Sequence, residues 1–281
     1  MPPGSSDISP ALVDLHAHSS CSADGESSIG DYARRAADLG FRGIGFCEHV
    51  DLDPRDQDYG FLDMARYDHE IASARTVEPQ LALYQGVELS YQSRREGEIR
   101  AWLATRAWDY VVSSVHLVDY ADGWAIVSEP STTGSYFATH SHRQAYGPYF
   151  EELHRAAQSG LGDVIGHFDL VKRYGVRQYG PFEPKDFQEE IRAVLWAVID
   201  SGMGLEINTS GLRQLPGEPY PGLTILQWDR ELGGEILTLG SDTHHTNNLG
   251  AGLAQAQDLA QAVGFRAIAV FEQRKIGWID L

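Results

Sequence analysis

Short apolar runs with the length of buried strands recur along this chain, and six of the seven end in or beside His, Glu or Asp. The first, over residues 11–15, is followed by His16-Ala17-His18. In an extended chain residues i and i+2 face the same way, so both rings reach one ion. The run over 43–47 ends in Glu48-His49, that over 81–87 in Glu88, that over 110–115 in His116 and that over 163–166 in His167. The sixth, over 203–207, passes into Asn208-Thr-Ser-Gly-Leu-Arg213, and the seventh, over 235–239, into Gly240-Ser-Asp242-Thr-His244. One strand-end histidine is ordinarily a packed residue, but independent packing explanations for six of seven ends do not multiply to a reasonable account.

Helical patterns fill the intervals. Ser28 is an N-cap for a helix over 29–39 that Gly40 closes, and further helices are expected over 64–77, 96–107, 148–158, 185–199, 223–232 and 251–263. Strands alternating with helices imply parallel βαβ units, and about seven of them close into a barrel whose strand ends converge on one face. An open sheet would spread the same residues along an edge, too far apart to share ions. The expected fold is therefore α/β, a distorted (β/α)7 TIM-like barrel in a single domain over 11–281, preceded by a flexible tail over 1–10. Residues 267–270 are expected to add one more strand. Residues 118–147, rich in Ser, Thr and Tyr, lack periodicity and read as a long loop that forms a lid or pocket wall.

Composition narrows the function. The 281 residues, 42% hydrophobic, suffice for a sizeable core, and no Pro/Ser/Gly-rich linker divides them. There is no signal-peptide apolar region and no run of eighteen apolar residues, so a soluble, cytoplasmic protein without a membrane partner is expected. A formal charge of −18 argues against a polynucleotide or an anionic membrane. The two cysteines, Cys21 and Cys47, form neither a disulfide framework nor a CxxC pair, although Cys21 lies near enough to His18 for a ligand role.

The pooled ligand set is His16, His18, Asp24, His49, Glu88, His116, His167, Asp242 and His244. It exceeds what one tetrahedral ion uses, so two or three divalent transition-metal ions, Zn, Fe or Mn, are implied. Asp24 has a rival reading as turn chemistry, because Gly25 follows it. His69, His140, His142, His154 and His245 have no strand-end placement and are read as surface or supporting residues. Closely spaced divalent ions serve the in-line hydrolysis of a phosphoester. Lys172, Arg173 and Arg213 follow strands five and six on the ligand face and are the candidate phosphate-binding groups, with Arg213 the first choice for a bidentate contact.

The series Asp14-Leu-His16-Ala-His18, Phe46-Cys-Glu-His49-Val-Asp51, Gly86-Val-Glu88, Ser114-Val-His116, Ile165-Gly-His167-Phe-Asp169-Leu and Gly240-Ser-Asp242-Thr-His244 resembles the polymerase and histidinol phosphatase (PHP) superfamily. Tyr149-Phe-Glu-Glu-Leu153, Gly166-His-Phe-Asp-Leu-Val-Lys-Arg-Tyr-Gly175 and Leu205-Glu-Ile-Asn-Thr-Ser-Gly-Leu-Arg213 look most like its monofunctional histidinol-phosphate phosphatases. The resemblance spans about residues 13–271. It implies a trinuclear centre: His16, His18, Glu88 and Asp242 around one ion, Glu88, His116 and His167 around a second, and Asp24, His49 and His244 around a third. Many relatives carry His where Asp24 stands. The implied reaction releases histidinol and phosphate in histidine biosynthesis. A metal-bridging hydroxide would attack phosphorus, Arg213 would neutralise the equatorial oxygens, and Asp242 or His244 would relay a proton to the leaving alkoxide. The segment between Tyr120 and Tyr149 would supply a carboxylate and an aromatic wall for the substrate's ammonium and imidazole.

The alternatives are a phosphoesterase of the same scaffold acting on other small phosphomonoesters or nucleotides, and, further off, an amidohydrolase or a non-catalytic metal-binding module. Amidohydrolases commonly place a bridging carboxylated Lys after strand four, where this chain has His116, and a relic module would be expected to have lost ligands. The sequence assigns no oligomeric state.

Overall fold

The computed structural model describes residues 12–281, and the tail expected over 1–10 lies outside the described residues. The strands are β1 (Val13–Ala17), β2 (Gly43–Val50), β3 (Ala82–Ser90), β4 (Val111–Ser114), β5 (Leu117–Tyr120), β6 (Gly123–Ile126), β7 (Val164–Ile165), β8 (Gly204–Asn208), β9 (Leu237–Gly240), β10 (Ala267–Glu272) and β11 (Lys275–Asp280). Seven of them, β1 to β4 and β7 to β9, form one parallel sheet in chain order. Helices cover its outside, so both faces are buried and the strands read as near-continuous apolar runs.

The sheet curls into a nearly closed barrel. Between β1 and β9 the ladder shrinks to one parallel bridge, Ala17 with Thr243, in which the His18 N–H donates to the Thr243 carbonyl at 2.8 Å. A buried side chain completes the seam: Asp14 accepts from the Ser241 N–H at 2.9 Å and the Gly250 N–H at 3.0 Å, and also from the Ser241 hydroxyl. Tyr110 fills the barrel's middle and donates to the Leu15 carbonyl at 2.8 Å. Its ring needs glycine on the neighbouring strands, because a Cβ at Gly86 would lie 2.5 Å from ring carbon Cε1 and one at Gly45 would lie 2.3 Å from the hydroxyl.

Local chemistry accounts for the helix ends. Ser28 accepts from the Asp31 N–H at 3.1 Å to start the helix Ile29–Asp38, and Gly40 follows it at φ 76°. Ser141 and Gln144 form a capping box that opens the helix His142–Ser159, six residues earlier than the sequence pattern suggests.

Two expectations change. Residues 267–270 do form a strand, but it pairs antiparallel with β11 and stays out of the barrel sheet. This hairpin closes the barrel's N-terminal mouth, where Ala269 and Phe271 pack on Val13, Leu15, Tyr110, Val112 and Val164. The segment 118–147 is ordered structure: the β5–β6 hairpin, the helix Pro130–Thr139 and the first turn of the helix His142–Ser159. No helix among the described residues is long and apolar enough to cross a membrane.

Candidate metal centre and its cavity

At the C-terminal rim of the barrel Glu88 is the hub. Its Oε2 lies 3.5 Å from Nε2 of His16, 3.5 Å from Nε2 of His18 and 3.0 Å from Nδ1 of His49. Its Oε1 lies 2.7 Å from Nε2 of His167 and 3.4 Å from Nε2 of His116. Asp242 Oδ1 stands 3.5 Å from Nε2 of His18 and 4.0 Å from Nε2 of His16. Asp24 reaches Nε2 of His49 at 3.5 Å and Nε2 of His244 at 3.1 Å. All nine residues of the pooled set thus meet in one place. His49 stands between two subsets, with one ring nitrogen toward Glu88 and the other toward Asp24.

Strand geometry and buried partners fix these side chains. His49 and Glu88 are register partners in the β2–β3 ladder, so their side chains rise from neighbouring strands at the same height. Ser114 donates to Glu88 Oε1 at 2.6 Å. Glu206, fully buried on β8, takes Nδ1 of His16 at 2.5 Å, the His167 N–H at 3.1 Å and Nδ2 of Asn208 at 3.0 Å. Asn208 and Ser210 each donate to Asp242 Oδ2 at 3.2 Å. His167 and Asp242 sit at φ 25° and φ 50°, a region non-glycine residues rarely occupy, so backbone strain is spent on aiming two of the candidate ligands.

The electrostatics follow from this crowding. Burial alone would push the Glu88 carboxyl up, but the imidazoles of His116, His16 and His167 hold it well below the usual range. Burial likewise opposes charge on His16, yet Glu206, first among the anions around it, carries it well above its ordinary value. His18 goes the other way: burial, with His49 and His244 beside it, brings it down to about 3.

The donor set fits divalent transition metals. Nε2 of His16 and Nε2 of His18 approach to 3.0 Å, and Nε2 of His116 and Nε2 of His167 to 3.3 Å. Two imidazole nitrogens at that distance share at most one proton. With Nδ1 of His16 committed to Glu206, Nε2 is the nitrogen left to face the shared space, and an ion there would displace its proton. Four groups, His18/His49/His244, His16/His18/Glu88, His49/Glu88/His116 and Asp24/His49/Asp58, each bring ligand atoms within 4.8 Å of one another. Cys21 is not among them, and burial pushes its thiol up to about 11, away from the thiolate a metal needs.

Above the centre opens a cavity of about 500 Å³ whose walls come from Asp51, Arg55, Asp56 and Asp58 after β2, from Trp124, Ile126, Glu129 and Thr132, and from Arg173 and Gln214. Of the two roles expected for residues 118–147, lid or pocket wall, the structure shows the wall, built of a hairpin and a helix. Of the three candidate phosphate-binding residues only Arg173 lines this cavity. Lys172 is corrected: it is fully buried, with Nζ 2.7 Å from Asp169 and 2.8 Å from Glu218, because a lysine ammonium at 0% exposure must be paired. Arg213 is corrected too. Its guanidinium donates to the Ser241 carbonyl at 2.6 Å and holds the loop that carries Asp242, while its side chain stays out of the cavity lining.

Glu206 and Asp58 were not among the predicted ligands. Asp58 lies in a turn-rich segment, where a carboxylate is usually turn chemistry. Glu206 interrupts an apolar run, the signal that marks Glu88, but it falls inside the sixth run rather than at its end. His140 pairs with Asp122 at 3.1 Å and His142 faces Asp186 at 3.7 Å, both apart from the centre.

The PHP domain profile matches residues 14–210. A probable histidinol-phosphatase of Deinococcus radiodurans is 28% identical over 94% of this chain and 98% of its own length. A histidinol-phosphatase of Bacillus subtilis is 27% identical over 84% of this chain and 95% of its own. Among solved structures, histidinol phosphate phosphatase from Lactococcus lactis, complexed with zinc, L-histidinol and phosphate, superposes with a TM-score of 0.82 at 25% identity, covering 94% of this chain and 98% of that one.

Proposed function

The chain belongs to the PHP domain family, and on that premise we propose that it is a metal-dependent phosphatase that hydrolyses L-histidinol phosphate to L-histidinol and inorganic phosphate, a step of histidine biosynthesis. One observation carries the reading: both oxygens of buried Glu88 face imidazole nitrogens, three histidines on one side and two on the other, which is the geometry of a carboxylate shared between cations. The likeness to the L. lactis phosphatase supports the same substrate.

His16, His18, Glu88 and Asp242 would hold one ion, Glu88, His116 and His167 a second, and Asp24, His49 and His244 a third, with zinc, iron or manganese suited to the mixed N/O donors. Bound there, such ions supply a water deprotonated near neutral pH and polarisation of the phosphoryl oxygens. The chain's residues do the rest. Glu206 holds Nδ1 of His16, which leaves Nε2 as the nitrogen that would ligate. Arg173, which lines the cavity and has no carboxylate partner among the described residues, binds an equatorial phosphoryl oxygen. Arg55 lines the cavity as well but is engaged by Asp53 and Asp119, at 3.0 and 2.7 Å. Arg213 fixes the Ser241–Asp242 backbone and so positions Asp242. The departing alkoxide oxygen receives its proton from the Asp242–His244 pair at the cavity edge, where Nδ1 of His244 lies 3.7 Å from Asp242 Oδ1.

A cavity of this size, in a protein of net charge −18, suits a small phosphomonoester rather than a polynucleotide. The test is phosphate release by purified, metal-analysed protein from L-histidinol phosphate, an aryl phosphate and a mononucleotide, compared as kcat/KM. Preference for histidinol phosphate by orders of magnitude, with more than one metal per chain, is the expected result. Slow and equal turnover of all three would leave a general phosphoesterase and sink the assignment.

A further inference from the structure

Asp24 differs from the other candidate ligands, which lie in a barrel strand or just past its end. It stands in the loop between β1 and the helix Ile29–Asp38, and its side chain is 37% exposed. A loop presents a ligand accurately only where something anchors it. The anchor here is Glu48. It precedes His49 on β2, so its side chain leaves the opposite face of the strand, away from the centre, and it is fully buried there. Its carboxylate collects the loop's donors: the Ser19 N–H at 3.1 Å from Oε1 and 3.2 Å from Oε2, the Ser19 hydroxyl at 2.5 Å from Oε1 and the Ser22 hydroxyl at 2.6 Å from Oε2. Each hydroxyl in turn accepts a backbone N–H, Ser19 from Cys21 at 3.1 Å and Ser22 from His49 at 3.0 Å.

One carboxylate thus holds both the turn that carries Asp24 and, through Ser22, the backbone of His49. The turn itself is tight. The Ser22 N–H donates to the Ser19 carbonyl at 2.9 Å and the Gly25 N–H to the Ser22 carbonyl at 3.3 Å, and a Cβ at Gly25 would lie 1.8 Å from the Ser19 oxygen. Just beyond it the Glu26 N–H donates to the His244 carbonyl at 2.8 Å, so the same loop meets the third member of the group. All the donors to Glu48 are neutral, and a carboxylate is buried without a cation only where such donors satisfy it. A hydrophobic side chain would fill the space without that cost but could not gather the donors. We propose that Glu48 is a positioning residue for the cation group Asp24, His49 and His244: it presents the Asp24 carboxylate to the two imidazoles and so sets how tightly the third ion is held. The inference rests on the reading of those three residues as one cation site of the proposed phosphatase.

The experiment withdraws zinc from the zinc-loaded protein with a chromophoric chelator and resolves the loss into its binding steps. It compares wild type with Glu48→Ala, Glu48→Gln, Ser22→Ala, Asp24→Asn and the double variant Glu48→Ala/Asp24→Asn, with thermal unfolding of each as a check on the fold. Asp24→Asn marks the step that belongs to the third ion. Glu48→Ala is expected to weaken that step about tenfold and to leave the tighter steps within about threefold of wild type. Glu48→Gln, which restores the shape and one acceptor, should recover part of the loss, and Ser22→Ala should weaken the same step by less than Glu48→Ala does. The double variant should hold zinc about as well as Asp24→Asn alone, because Glu48 acts through that site. The proposal is overturned if Glu48→Ala leaves the marked step within about threefold of wild type, if it weakens every step alike, or if its loss adds in full to that of Asp24→Asn. Should Glu48→Ala fail to fold, Ser22→Ala decides, and an unchanged marked step in that variant overturns the proposal. Wild type without any step that Asp24→Asn weakens would overturn the third-ion reading itself, and the proposal with it.

Discussion

Glu206 has no contact with the cavity, yet its replacement should weaken metal binding more than any other change outside the nine candidate ligands. Its two oxygens receive three donors, Nδ1 of His16 at 2.5 Å on one and the His167 N–H and Nδ2 of Asn208 on the other. Glu206→Gln preserves shape but has one acceptor. If the amide oxygen faces His16, the NH2 confronts two donors; if it is flipped, Nδ1 of His16 faces an NH2 and the ring is driven to the tautomer that protonates Nε2. Either arrangement loses one or two hydrogen bonds at about 1 kcal/mol each and misdirects a ligand. The expected cost is roughly 10- to 100-fold in metal affinity, the range for partners that orient a metal-binding histidine. Gly240→Ala tests the same pair sterically, since its Cβ would lie 2.3 Å from Glu206 Oε1 and 2.4 Å from His16 Cβ. The assay is zinc competition against a chromophoric chelator, with stoichiometry from elemental analysis. Zinc affinity within threefold of wild type in Glu206→Gln, at unchanged stoichiometry, would refute the argument that the carboxylate selects the His16 tautomer.

Three further outcomes are expected. Asp58→Asn should lower the number of ions bound per chain by weakening the Asp24/His49/Asp58 group, read by elemental analysis after dialysis; undiminished stoichiometry would leave Asp58 a turn residue. Lys172→Met should cost about 3–5 kcal/mol in urea unfolding, because it strands the buried charge of Asp169, and a rise in KM at unaltered stability would instead restore Lys172 as a phosphate contact. Burial pushes the Asp229 carboxyl from 3.8 up to about 7, so between those pH values the folded state binds a proton that the unfolded state has lost. Stability should therefore fall as pH rises through that window, by up to roughly 4 kcal/mol, and Asp229→Asn should flatten the profile and raise the Tm at pH 8; an unchanged profile would count against the burial argument.

The barrel and its ligand face were legible because a metal ligand on a buried strand end is chemically conspicuous against Val, Ile and Leu. Boundaries were less so: β2 runs on to Val50 rather than stopping at Cys47, since Glu48 and His49 remain in the ladder. Residues 130–139 did not read as a helix because Ser, Thr and Gly are weak helix formers. Tertiary packing holds them there instead: Tyr136 stacks on Tyr120 and on His140, each at 3.8 Å. Lys172 and Arg213 had the right charge on the right face. What separates them from Arg173 is partners distant in sequence, Glu218 and the Ser241 carbonyl, which only the folded chain brings near.

The charge balance of the cavity ties these pieces together. Asp24, Asp51, Asp56, Asp58, Glu88, Glu129 and Asp242 line it against two arginines, one of them already paired. Each uncompensated carboxylate within about 6 Å of a phosphoryl group would oppose it by roughly 3 kcal/mol per unit charge at an effective dielectric of about 20. The residues around the centre answer that excess with protons: against the pull of burial, their carboxylate neighbours carry His16, His49, His116 and His244 above their ordinary values. Divalent ions held at the same positions would replace those protons with more charge in less space. The negative walls then stop being an obstacle, because they repel polyanions while favouring a short phosphoester that brings an ammonium of its own. A net charge of −18 and a phosphate substrate are compatible in this chain because the positive charge is concentrated at a few buried ligands rather than displayed on a basic surface.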